Sequence, residues 1–281
     1  MQDYIEEHIT ETVTLSDLAE ASLYSPWHSY RLFVKWLNMT PSEYIRRLRL
    51  SKSAMMLRDS KSRIIQAALD AGYGSVDGYQ RAFAREFGCN PGDYAMHPEP
   101  LYLFRPYGIQ YKEIRKENVV EIVKTVFVQL FKKPERRVMI KRAQKANDYW
   151  TYCAEVGCEV WGLLSSVKSL SGEPICLWLP KEHIRPGTSE YVQGVELPLD
   201  YEGQIPEGFE IINLPECEYL MFKGEPFAEE DFREAITQLR QAIVSYDPSL
   251  AGYAWDDSNP RIQLEPLGTR GYIELLAVKP L

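Results

Sequence analysis

The stretch "SPWHSYRLFVKWLNMTPSEY", residues 25–44, is answered fifty positions later by "SVDGYQRAFAREFGCNPGDY", residues 75–94. The offset pairs Ala21 with Ala71, Ser25 with Ser75, Arg31 with Arg81 and Phe33 with Phe83, and continues through Pro41/Pro91 and Tyr44/Tyr94. Each copy runs into a helix start with its own chemistry. Thr40-Pro41-Ser42-Glu43 is a capping box with proline at the first helical position, and Asn90-Pro91-Gly92-Asp93 repeats it with an Asn cap. Ahead of each copy lies a short apolar segment and a turn, "LSDLAEASLYS" and "IQAALDAGYGS", so Ser25 and Ser75 read as N-caps of a second helix. Each copy is expected to be helix, tight turn, helix, with residues 40–59 forming a long helix between them.

On a helical wheel, Tyr30, Phe33, Val34 and Leu37 form the buried stripe of residues 26–37. His28, Arg31 and Lys35 fall on the adjoining arc, with Trp27 at its near edge. The second copy places Arg81 and Arg85 there, with Asp77 and Gln80 nearby. Arginine forks onto guanine, tryptophan or histidine lies against sugar or a thymine methyl, and lysine meets phosphate. Trp27 alone reads equally well as a rim aromatic, and either arginine alone as a surface charge. The same arginine at the same register in two copies points to double-stranded DNA.

The charge distribution agrees with that reading although the net charge of −8 does not. Residues 1–25 carry six acids and no Lys or Arg, whereas residues 26–87 carry eleven Lys/Arg against five acids. A basic block between acidic neighbours is a local electrostatic footprint. The length of 281 residues suits two or three domains. Five scattered cysteines without a C-x-x-C pair argue against a disulfide framework or a zinc site, so no metal and no cofactor is expected, and a cytoplasmic location fits. No apolar run reaches the length of a membrane span, and "MQDYIEEHIT" lacks the basic lead of a signal peptide.

Residues 1–97 resemble the DNA-binding domain of the AraC/XylS transcription regulators. The second copy keeps that family's A-x-x-x-G-aromatic-x-S, aromatic-x-R-x-F, F-G and P-x-x-Y within "IIQAALDAGYGSVDGYQRAFAREFGCNPGDY". The resemblance implies two helix-turn-helix units whose recognition helices enter successive major grooves, about 34 Å apart. It puts Trp27, Arg31 and Arg81 at base-contacting positions. Three departures stand out: Ser29 replaces an apolar residue, Asp77 a neutral donor, and Gly78 costs the second recognition helix roughly 1 kcal/mol.

Residues 98–118 read as a linker, and residues 119–281 as a second domain rich in strand-like segments. Helices are expected at 148–167 and 229–246. An offset of 81 relates "KKPERRVMIKRA" to "NLPECEYLMFKG" and "YVQGVEL" to "YIELLAV". The fold class expected is an all-α N-terminal domain plus an α+β domain. The latter is a duplicated strand-helix-strand-strand with an antiparallel sheet and a concave ligand groove at its seam.

The layout and the ending "YIELLAVKP" resemble the effector-binding domain named for the gyrase-inhibitory protein. The resemblance implies a small, hydrophobic, cationic effector held between aromatics and a last-strand glutamate, here Glu274. That carboxylate is the only charge in "YIELLAV", so it must be exposed, protonated or paired. Trp150, Trp161, Trp178, Tyr219, Tyr253 and Trp255 are the candidate walls. The leading expectation is a transcription regulator, not an enzyme, with RNA polymerase as a further partner. The alternatives are a small-molecule hydrolase and an architectural DNA binder with a protein-docking domain, and no nucleophile–base pair or catalytic motif supports the first.

Overall fold

In the computed structural model, which describes residues 1–60, 63–106 and 125–281, the four helices of the repeat with an expected cap each start directly after it. The first unit is α1 (Gln2–Glu7), α2 (Leu15–Ser22), α3 (Pro26–Leu37), α4 (Pro41–Asp59), α5 (Ile64–Asp70), α6 (Val76–Phe87) and α7 (Pro91–Met96). The side chains of Ser25, Thr40, Ser75 and Asn90 accept backbone N–H groups at the starts of α3, α4, α6 and α7. Each such cap contributes about 1 kcal/mol. Gly78 sits at the third position of α6, where its N–H reaches the Ser75 hydroxyl at 3.2 Å and an added Cβ would stand 3.1 Å from that oxygen. Its helix-propensity cost therefore falls at a cap rather than in mid-helix.

The long helix α4 serves two cores. Tyr44, Ile45 and Leu48 pack with Ile5, Leu18 and Phe33, while Leu50, Ala54 and Leu57 pack with Ala67, Tyr79, Phe83 and Tyr94. Six residues separate Tyr44 from Leu50, which turns the helix by about 240° and gives each half a separate apolar face. The Tyr of each copy plays the same part: Tyr44 meets Phe33 edge-on at 5.2 Å, and Tyr94 lies 5.9 Å from Phe83. Of the linker expected at 98–118, residues 107–118 lie outside the described residues. Its start packs on the first unit, with Leu101 and Leu103 in the second core and the Phe104 N–H donating to Ser51 at 2.8 Å.

The second unit is one antiparallel sheet with helices. Its strands are β1 (Phe127–Lys133), β2 (Arg136–Arg142), β3 (Ile175–Trp178), β4 (Tyr191–Leu197), β5 (Glu210–Leu214), β6 (Cys217–Lys223), β7 (Tyr253–Trp255), β8 (Arg261–Gln263) and β9 (Ile273–Pro280). The order is β1-β6-β9-β8-β3-β4-β2-β5, with β7 added on β9. Residues 119–124 of the expected second domain lie outside the described residues. The helix expected over 148–167 is two, α8 (Tyr149–Val156) and α9 (Glu159–Ser166), because Gly157 at φ 99° leaves the helical region. The helix α10 (Phe232–Ser245) falls inside its expected span.

Each half gains a leading strand, and the two leading strands are exchanged. The offset of 81 carries Lys133 onto Leu214 and Arg136 onto Cys217. In keeping with it, Lys133 of β1 pairs with Cys217 of β6, and Leu214 of β5 with Arg136 of β2. Strands β1 and β2 stand toward opposite ends of the strand order, yet only Pro134 and Glu135 join them. A link that short spans about 10 Å, so the sheet must curl until its ends meet. The curl explains why Val138, Leu177, Val192, Leu214, Ile262 and Leu275 bury one another on a single face without a helix. On the other face, Leu220, Phe222 and Tyr272 pack with Leu239 and Ile243 of α10.

A charged cluster closes the curl. Glu196 accepts from Lys133 Nζ and Arg136 Nε, both at 2.6 Å, and all three residues are buried. Arg136 also donates to the carbonyls of Pro134 and Pro215, one in each short link, at 3.2 and 3.3 Å.

Candidate functional site

On α3, Trp27 is 67% exposed, Arg31 and Lys35 are exposed, and His28 is half-buried. On α6, Asp77, Arg81 and Arg85 are exposed and Gln80 is half-buried. Opposite them on the same helices, Phe33 and Phe83 are buried in the two cores. The serine caps and the phenylalanine anchors thus fix the rotation of each helix, which turns the matched arginines outward. Trp27 stacks on Tyr30 at 5.6 Å between ring centres, so its indole is held flat at the helix start.

The basic block divides into spent and available cations. Arg46 and Arg47 grip the two oxygens of Glu86 at 3.0 and 2.6 Å, and this ties α4 to α6. Arg49 Nε donates to the Ile9 carbonyl at 2.8 Å, and Arg58 forks onto Asp59. Among the described residues, Arg31, Lys35, Arg81 and Arg85 form no ion pair within 4 Å. A guanidinium held in no internal pair reaches a base edge or phosphate without first breaking one.

Ser29 seats α3 differently from the apolar residue it replaces. It is fully buried, and its hydroxyl lies 2.9 Å from that of Ser22 on α2. Ser22→Ala strands a buried hydroxyl and should cost about 1–3 kcal/mol. Ser22→Ala with Ser29→Ala should recover most of that loss in urea unfolding, because both polar partners are then gone.

In the second unit, Glu274 is fully buried and paired. Its Oε1 accepts from Tyr272 Oη at 2.5 Å and Arg240 Nε at 3.1 Å, and its Oε2 from Arg261 Nε at 2.7 Å and a second Arg261 nitrogen. Of the three states open to this carboxylate from sequence, it is in the paired one. Burial first, then the neighbouring Glu274, pushes the Tyr272 phenol far above its ordinary range.

Of the expected walls, Trp178 alone touches this group: Arg261 lies 4.7 Å and Arg240 5.9 Å from its ring centre. Tyr219 is on the wrong face. It pairs with Ala277 while Glu274 pairs with Phe222, and the two pairs stand an odd number of positions apart along β9, so the strand's alternation points them to opposite faces. It is buried inside the curl against Arg136. Trp161 is buried on α9, and Trp150 on α8 is 57% exposed. Trp255 packs with Phe222 and Tyr246, and Tyr253 joins the same core beneath α10.

The register brings beside Glu274 three residues that sequence reasoning missed. Gln193, Cys176, Gln263 and Glu274 oppose one another in turn across β4, β3, β8 and β9, so they form one row on one face. All four are buried. Gln193 holds the place in its half that Glu274 holds in the other, since the offset of 81 relates them. Among the described residues, neither amide atom of Gln193 nor the Tyr191 hydroxyl has a hydrogen bond of good geometry, although that hydroxyl lies close to both Gln193 and Cys176. The offset repeat was the available signal for this row.

A family model described as a helix-turn-helix domain matches residues 18–97. Regulatory protein SoxS of Salmonella typhimurium is 38% identical over 92 residues, which cover 33% of this chain and 86% of that protein. The right origin-binding protein of Escherichia coli is 34% identical over 96 residues, 34% of this chain and 33% of that one. Among solved structures, a transcriptional regulator of Chromobacterium violaceum with an AraC-type DNA-binding domain is 25% identical. It covers 34% of this chain and 89% of that one, at a TM-score of 0.33. No helix among the described residues is long and apolar enough to cross a membrane.

Proposed function

The chain belongs to the AraC/XylS family of DNA-binding transcription regulators, and we propose that Arg31 and Arg81 are its two matched base-reading groups. The observation that carries this is their common state: both are exposed, outside any ion pair among the described residues, at the same register of two capped helices that share one connecting helix. Trp27, His28 and Lys35 complete the first reading face, and Asp77, Gln80 and Arg85 the second. The carboxylate of Asp77 repels phosphate and accepts only from an amino group such as cytosine N4.

Residues 1–97 act as the reader, 98–118 as the linker and 119–281 as a sensor for a small-molecule effector. The burial of Glu274 within a polar row across the sheet supports the sensor reading. The effector acts by binding the transcriptionally distinct states with different affinity, through the reader or its contact with RNA polymerase. The protein works in the cytoplasm as a regulator rather than an enzyme.

The reader is tested by selecting duplexes from a random pool and measuring affinity against salt. Lys35→Ala is expected to lower affinity on selected and random duplexes alike and to reduce the salt slope by about one. A loss confined to the selected duplex would mean that Lys35 reads a base.

A further inference from the structure

We propose that the sensor seam takes a small planar anion, such as an aromatic carboxylate, and not an organic cation. The inference rests on the reading of residues 119–281 as a sensor and adds the charge class of its ligand. A glutamate that serves as counter-ion to a ligand must have an oxygen to offer. Here both oxygens of Glu274 are bound by Arg240, Arg261 and Tyr272. The group therefore comprises two guanidiniums against one carboxylate. The next acids, Glu173 and Glu265, are coupled to a third arginine, Arg270, and Glu173 pairs with it directly.

Geometry turns that surplus of positive charge outward. The side chains of Arg240 and Arg261 are 44% and 33% exposed, while Glu274 is fully buried behind them. Three hydrogen bonds to Glu274 leave most of their N–H donors over. An incoming cation meets two like charges and has to break a buried ion pair, whereas an anion meets donors already in place.

Trp178 supplies the apolar plane. Its ring lies beside both guanidiniums, and its indole N–H is fixed on the Asn147 carbonyl at 3.1 Å. Along the same face, Tyr191 meets Trp178 edge-on at 5.0 Å, and the neighbouring Gln193 offers a buried amide that, close as it is to the Tyr191 hydroxyl, has no hydrogen bond of good geometry among the described residues. Buried polar groups in folded proteins are nearly always partnered, so this amide marks where a ligand's polar end is received. An anionic head at the arginines, a flat body on Trp178 and a polar tail toward Gln193 describe the ligand.

The test uses the full chain and two probes of one shape and opposite charge, 1-naphthoate and 1-naphthylmethylammonium, titrated by quenching of tryptophan fluorescence. Saturable binding of naphthoate at least tenfold tighter than the ammonium is expected. Arg261→Gln should reduce naphthoate affinity at least tenfold and narrow or reverse the preference, with far-UV circular dichroism reporting the fold. Tighter binding of the ammonium by the native chain overturns the charge class while leaving a sensor in place. Binding of neither probe overturns the sensor reading and this inference with it. Naphthoate binding unchanged in both Arg261→Gln and Trp178→Phe overturns the assignment to this seam.

Discussion

Arg31→Ala is expected to weaken binding to the selected duplex by about 1–3 kcal/mol and to relax base preference at one position while barely changing affinity for random DNA. Arg81→Ala should do the same at a position one helical turn away. The two losses should add, because the exposed side chains stand on separate helices anchored in separate cores and share no partner among the described residues. The combined variant then loses roughly 2–6 kcal/mol on the selected duplex, which takes it close to non-specific binding. Mobility-shift titrations at two salt concentrations separate the components. A base-reading arginine shifts the intercept on the selected duplex, and a phosphate-binding one changes the slope. Equal loss on selected and random duplexes would make Arg31 a phosphate contact.

Glu196→Gln should destabilise the second unit by about 3–5 kcal/mol, since it removes the charge that neutralises two buried cations. The position also carries structural weight: Arg136, held by Glu196, donates to both short links where the curled sheet meets itself. Burial by itself raises the Glu196 carboxyl, but Lys133 and Arg136 more than offset it and hold it below the ordinary value of 4.5. The stability it contributes is therefore complete above about pH 4.5 and is lost as pH falls through the lower folded value. Thermal unfolding followed from pH 7 to 3 should show an acid limb in the native chain that is shallower in Glu196→Gln. A variant within 1 kcal/mol of native at pH 7 would mean that the cluster does not hold the sheet closed.

The helical unit was legible in sequence because its determinants are local. A cap, a proline at the first helical position and a 3.6-residue stripe each act within a few residues, so Ser25, Thr40, Ser75 and Asn90 mark the helix starts where they occur. Which cations are available was not legible. Arg46 and Arg47 look as basic as Arg31, but their partner Glu86 lies about forty residues on, beyond any local pattern. The same limit applies to Glu274. Its need for a partner follows from one charge in an apolar strand, but Arg240 and Arg261 reach it only through the packing of α10 and the pairing of β8 with β9. The offset of 81 announced two similar halves. That they exchange their leading strands, curl the sheet and carry Tyr219 to the inner face is a matter of register, and register is set by contacts distant in sequence.

The direct test of the account is hydroxyl-radical footprinting with methylation interference on a selected duplex, comparing the native chain with Arg31→Ala and Arg81→Ala. Two interference blocks on one face of the DNA, spaced by about one helical turn of 10–10.5 base pairs, are predicted, with each substitution abolishing a different block. A single block, or two that both survive each substitution, would contradict simultaneous reading by the two helices.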